Sequence, residues 1–261
     1  MQQSTYDPYL QGSYRNDTNI RGDSDVDLVV QLSSAFYHDL SALSTADVAA
    51  FNAAYGSSQY GWAQFRSDVL DALVAYYGRD LVKEGKCCLK VKGTSNRLPA
   101  DVVPCLQYRK YLRFRSRDDE SYIEGMRFWT ADGREVINFP KWHYDNGVRK
   151  NGQNRTAGTY KPVVRMFKNA RSYMEDRGLI ASSLAPSYFL ECFLYNAPDS
   201  SFSGSYQEMY LGVLGGILSR NWDEFLCQNE QLQLFGTTPE QWAKDSAVAL
   251  VQSFHDLWKR W

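Results

Sequence analysis

At 261 residues, 44% of them hydrophobic and 15% aromatic, the chain can bury a substantial core, which excludes a mainly disordered protein and suits one compact unit of two lobes. A net charge of −1 excludes broad electrostatic adhesion to duplex nucleic acid, though a local basic groove remains compatible with it. No apolar run is long enough to span a bilayer, and the polar start MQQSTYDPY lacks the charged-then-apolar order of a secretory signal, so a cytoplasmic setting without a membrane is expected.

The first element of note is GSYRNDTNIRGDSDVDLVV, from Gly12 to Val30: a Gly-Ser turn, a polar spacer, then two aspartates in an apolar run. Alternate side chains of a strand share a face, so Asp25 and Asp27 project together while Val26, Leu28, Val29 and Val30 root the strand. Such a pair is costly to desolvate and self-repelling unless a cation neutralises it. Mg²⁺, or Mn²⁺ in its place, suits all-oxygen ligands and completes its shell with water and phosphate. Gly12 lets phosphate oxygens approach the backbone, and the Ser13 hydroxyl with neighbouring N–H groups can hold them.

Farther along, Trp62, Phe65, Val69, Leu73 and Tyr76 recur at helical spacing from Gln59 to Tyr77, with Gly78 as a stop. Strands are expected over 86–92, 100–107 and 134–139, the first two joined through hairpin chemistry at Thr94 to Arg97. In YRKYLRFRSR the arginines Arg113, Arg115 and Arg117 alternate as on a strand face that continues into Asp118, Asp119 and Glu120. KWHYDNGVRKNGQNR reads as a polar loop. Helices are expected over TYKPVVRMFKNARSYMEDRG, PSYFLECFLYN and SYQEMYLGVLGGILSRN, and a last one starting at Thr238-Pro239 with Gln241 completing a capping box. The five cysteines (Cys87, Cys88, Cys105, Cys192, Cys227) and three histidines (His38, His143, His255) show no ligand spacing, so neither a disulfide framework nor a zinc site is expected.

The ordered Gly-Ser, spacer and hydrophobic-Asp-hydrophobic-Asp pattern resembles the DNA polymerase β-like nucleotidyltransferase superfamily. That family uses a third acidic residue on a later strand, and Asp101 in LPADVVPCL answers it. The Asp-Val-Val-Pro segment resembles the bacterial relatives of cyclic GMP-AMP synthase and oligoadenylate synthase, the CD-NTases of CBASS antiphage signalling. The resemblance implies an α+β fold: a mixed-sheet catalytic lobe over 1–140, a helical nucleotide-binding lobe over 141–261, and a cleft between them. It further implies that Lys168, Ser187 at the start of the next helix, and Tyr188 hold the nucleotide from the side opposite the metals, Tyr188 by stacking on the base. Relatives carry a long helix before the Gly-Ser turn, whereas eleven residues precede Gly12 here, which implies either a trimmed chain or a reduced member whose lobes are braced differently.

The chemistry implied is two-metal nucleotidyl transfer. Asp25 and Asp27 would hold both ions, roughly 3.5–4 Å apart, and Asp101 the one that activates the attacking hydroxyl. The expected substrates are nucleoside triphosphates, ATP foremost. The expected product is a cyclic or short linear oligonucleotide made without a template, read by a downstream effector, with no requirement for duplex nucleic acid. Alternatives are transfer to tRNA, protein or a small molecule, a non-catalytic binding module, and a partner-regulating subunit. The last two leave three carboxylates without a use.

Overall fold

The computed structural model describes residues 6–20 and 25–260; residues 1–5 of the polar start and residues 21–24 of the spacer lie outside the described residues. By compactness the chain forms two units, one of Met1–Gln11 with Asp23–Lys141 and one of Gly12–Gly22 with Trp142–Trp261.

The first unit is a mixed sheet backed by helices. Strands β1 (Tyr6–Leu10), β2 (Val26–Asp39), β3 (Val82–Glu84), β4 (Leu89–Val91), β5 (Ala100–Ser116), β6 (Asp119–Trp129) and β7 (Glu135–Asn138) take the order β1-β2-β5-β4-β3, with β6 paired to β5 and to β7. The pair that matters for the site is β2 with β5, the one parallel pairing among the described strands, in which Asp27 lies in register with Asp101. Hairpin partner β4 sits antiparallel on the other side, setting Lys90 opposite Asp101. Two helices, α2 (Thr45–Ala54) and α3 (Trp62–Tyr77), cover the sheet. The α3 stripe runs through Phe65, Val69 and Leu73 to Tyr77, whose neighbour Tyr76 is exposed, so the buried face ends one residue later than the spacing suggests. Gly78 closes the helix at φ +89°, its N–H bonded to the Val74 carbonyl at 2.9 Å.

The arginines of the β5–β6 hairpin are taken up locally. Arg113 and Arg115 share Asp119 at 2.7 and 3.6 Å, and Arg117 donates to the Ala54 carbonyl.

In the second unit, α4 (Pro140–Asn151), α5 (Tyr160–Asp176), α6 (Ser187–Tyr195), α7 (Tyr206–Leu218) and α8 (Lys244–Lys259) follow a short helix, α1 (Gly12–Asn16). The core is aromatic and aliphatic, with Tyr160, Val164, Phe167, Phe193, Trp242 and Phe254 almost fully buried. Two expectations are corrected here. The polar stretch after Pro140 is helix α4, because His143, Asn146, Gly147 and Lys150 recur on one face and are buried there through hydrogen bonds. Thr238 and Gln241 do not cap the last helix; they close a turn in which the Gln241 side chain accepts from the Thr238 N–H and hydroxyl, and α8 starts at Lys244. The Gly12–Gly22 stretch, assigned by a single expected boundary at residue 140 to the catalytic lobe, sits with the helices, because Asp17 and Thr18 are bonded into α5 and α6.

Candidate active site

Asp25 stands exposed just ahead of β2, whose first N–H, on Val26, binds the Pro99 carbonyl at 2.9 Å and so anchors the strand entrance. Asp27 is half-buried one residue into the strand, and Val29 and Val30 beyond it are packed among other apolar side chains on the two faces. Parallel strands lie about 4.8 Å apart, so register partners Asp27 and Asp101 hold their carboxylates side by side on one face. The electrostatic result falls on Asp27. Burial first, then the charges of Asp101 and Asp25, push its carboxyl up to about 6. Asp101 leans toward Lys90, with Nζ to Oδ2 at 3.6 Å. The Cys88 thiol nearby is pushed up to about 12, first by burial and then by the hydrogen bond to Asp101 and its charge.

Among the described residues no three His, Cys, Asp or Glu side chains converge into a metal cluster as they stand. The donor set nonetheless fits a hard divalent cation: it is all oxygen, Asp27 and Asp101 are register partners with Asp25 two residues ahead, and the raised carboxyl of Asp27 marks a negative field short of counter-charge.

Gly12 and Ser13 open α1 in the helical unit. Gly12 has φ +68°, in the left-handed region, so the backbone itself requires glycine there. Preceding it, the Gln11 N–H bonds to the Asp27 carbonyl at 2.9 Å.

Lys168 is paired inside the helical unit. Its side chain is 2% exposed; it donates to the Glu191 carboxylate, and to the Thr18 carbonyl and hydroxyl at 3.1 and 3.2 Å. Glu191 also meets His143 Nε2 at 3.3 Å and accepts the Thr18 hydroxyl at 2.8 Å. Burial alone would raise this carboxyl, but the His143 hydrogen bond and the Lys168 charge overcome it and bring it down to about 2. Tyr188 is half-buried: one face of its ring is stacked on His143 at 5.4 Å and 24°, and its hydroxyl takes a hydrogen bond from Asn229.

Ser187 is exposed at the first turn of α6. Pro186 occupies the cap position, so the Ser187 hydroxyl is not spent on capping; it accepts from Arg171 Nη1 at 3.1 Å. Thr18, Lys90, Arg171 and Glu191 went unnoticed in the sequence. Glu191 carried a usable signal, as a lone carboxylate inside SYFLECFLY.

A parallel strand pair with register-matched aspartates, in a mixed sheet joined to a helical bundle, is the architecture of a polymerase β-like nucleotidyltransferase. Residues 145–259 match the model of the cGAS/DncV-like nucleotidyltransferase C-terminal helical domain. The chain is 48% identical over 254 residues to the cyclic UMP-AMP synthase of Rhodothermus marinus (strain SG0.5JP17-172), covering 97% of this chain and 84% of that protein. It is 38% identical over 260 residues to the cyclic nucleotide synthase CdnE01 of Staphylococcus haemolyticus, covering 98% and 85%. The solved structure of the Rhodothermus marinus CdnE c-UMP-AMP synthase with Apcpp and Upnpp superposes with a TM-score of 0.89 at 46% identity, covering 100% of this chain and 86% of that one. The Elizabethkingia meningoseptica CdnE cyclic dinucleotide synthase with GTP and Apcpp gives a TM-score of 0.75 at 30% identity, covering 97% and 84%. The chain belongs to the cGAS/DncV-like nucleotidyltransferases, and it is a nucleotidyltransferase enzyme. No described helix is long and apolar enough to cross a membrane.

Proposed function

We propose that this enzyme joins nucleoside triphosphates, without a template, into a cyclic dinucleotide signal for antiphage defence. The reading is carried by the register match of Asp27 and Asp101 on adjacent parallel strands, with Asp25 two residues before Asp27. The relatives' names support the product class, and the Rhodothermus marinus relative, a cyclic UMP-AMP synthase by name, makes ATP with UTP the first pair to test.

Asp25, Asp27 and Asp101 would hold Mg²⁺ or Mn²⁺, which when bound supplies charge neutralisation for the attacking hydroxyl and the leaving pyrophosphate. The rigid β2–β5 pair presents the carboxylates without further ordering of the backbone. Gly12 and Ser13 offer close backbone approach and a hydroxyl to phosphate, and Ser187, beside the Arg171 guanidinium, offers a second hydroxyl in the helical unit.

The test is incubation of the purified protein with the four ribonucleoside triphosphates and Mg²⁺, followed by mass spectrometry. A cyclic dinucleotide containing adenine and uracil is expected. A protein that consumes triphosphate only when tRNA, a protein or a small-molecule acceptor is added would overturn the reading.

A further inference from the structure

Four polar side chains lie almost wholly inside the helical unit: Lys168 at 2%, Thr18 at 3%, Glu191 at 4% and His143 at 5% exposure. An ion pair at this depth is a poor way to gain stability, because each charge gives up its water and an apolar pair of equal volume serves as well or better. What it provides is direction. The Glu191 carboxylate receives the Thr18 hydroxyl at 2.8 Å, and Lys168 donates to the Thr18 carbonyl at 3.1 Å. The Thr18 N–H in turn binds the Ser13 carbonyl at 2.9 Å, so whatever fixes Thr18 fixes Ser13.

Lys161, Arg165 and Lys168 follow one another at the i, i+4, i+7 spacing of one face of α5, and all three reach the same turn. Lys161 pairs with the Asp17 carboxylate at 2.9 Å, Arg165 donates to the Asp17 carbonyl, and Lys168 takes Thr18. Asp17 holds φ +55°, an unfavourable conformation for a residue with a side chain, kept in place by these contacts. Arg15 lies over the Tyr144 ring at 3.9 Å, adding a hold from α4.

We propose that Glu191 and Lys168 are positioning residues: through Thr18 they fix the Gly12–Ser13 end of α1 in the conformation that receives nucleotide phosphate. The assignment rests on the reading of Gly12 and Ser13 given under Proposed function. It replaces direct contact between Lys168 and nucleotide with action through a backbone hydrogen bond.

Two sets of variants test it, each measured by thermal melting, by calorimetric binding of a non-hydrolysable ATP analogue with Mg²⁺, by kcat and KM, and by amide hydrogen exchange without nucleotide. The double variant Lys168→Met with Glu191→Leu removes both charges at similar volume. It is expected to stay folded and to melt near the wild-type temperature, relief of the buried charges offsetting the Thr18 hydroxyl and His143 ring left without Glu191, yet to bind the analogue at least tenfold more weakly, with KM raised and faster exchange over residues 13–18. Thr18→Val keeps the ion pair and loses the hydroxyl; a several-fold loss of affinity and a modest fall in melting temperature are expected, both recovered in Thr18→Ser. Wild-type affinity and exchange in the double variant, or equal loss in Thr18→Ser and Thr18→Val, would overturn the proposal. If the double variant does not fold, the Thr18 pair decides. Faster exchange in the variants of a protein that binds no nucleotide even as wild type would reject the phosphate role and the assigned purpose of the network with it. Unchanged exchange beside normal wild-type nucleotide binding would reject the positioning role alone.

Discussion

Asp27 is the side chain that gains most from a cation. Its carboxyl is raised from the ordinary 3.8 to about 6 by burial and by the charges of Asp101 and Asp25, so its contribution to folding is most favourable below pH 4 and is lost as pH rises through 6. Asp27→Asn should therefore raise the melting temperature of the metal-free protein at pH 7.5 by roughly 2–4 °C, after allowance for solvent screening of a half-exposed group, with no gain at pH 4. Mg²⁺ should stabilise the wild type and leave the variant unmoved; melting curves at the two pH values with and without Mg²⁺ check both. Product formation should be abolished in Asp25→Asn, Asp27→Asn and Asp101→Asn alike. Lys168→Ala and Ser187→Ala should part company. The first leaves Glu191 buried beside a lost partner and should cost about 3–5 kcal/mol of stability. The second should keep the wild-type melting temperature and weaken nucleotide binding by roughly 0.5–1.5 kcal/mol, the range for a lost hydrogen bond.

Elements with a clean apolar period were legible, and those held by polar contacts were not. Helices α3, α5, α6 and α7 carry their stripes openly, and the Ser205–Glu208 capping box of α7 forms as its residue types imply. Ser205→Ala should cost about 1 kcal/mol, measurable by denaturant unfolding. Helix α4 escaped notice because its buried face is His143, Asn146 and Lys150, whose burial is possible only once Gln228, Glu191 and Asp199 are in place. Helix α2 is anchored mainly by Phe51, which packs against Tyr111 and Phe114 of β5, a contact that no local pattern announces. Phe51→Ala should destabilise by about 3–5 kcal/mol, enough to be read as a marked fall in the unfolding midpoint.

For the whole molecule, the net charge of −1 argues against broad electrostatic binding of a polyanion. Activity should therefore need only triphosphates and Mg²⁺, be abolished by chelation, and be indifferent to added duplex DNA or RNA. A rise in turnover on adding duplex that disappears at high salt would contradict this.

The sequence by itself was enough to single out Gly12, Ser13, Asp25 and Asp27, because they are neighbours in the chain and the two-residue period of a strand suggests one face for the aspartates, although β2 begins only at Val26. It also reached Asp101, by a family pattern rather than by any local rule. Only the tertiary structure showed what Lys168 and Tyr188 touch. Residue type and helical spacing are the same for a lysine that faces a phosphate and for one that is sealed against a carboxylate. The choice is made by Thr18, 150 residues earlier in the chain, and by Glu191, 23 residues later, which burial brings to the same point and which the low dielectric there obliges to pair.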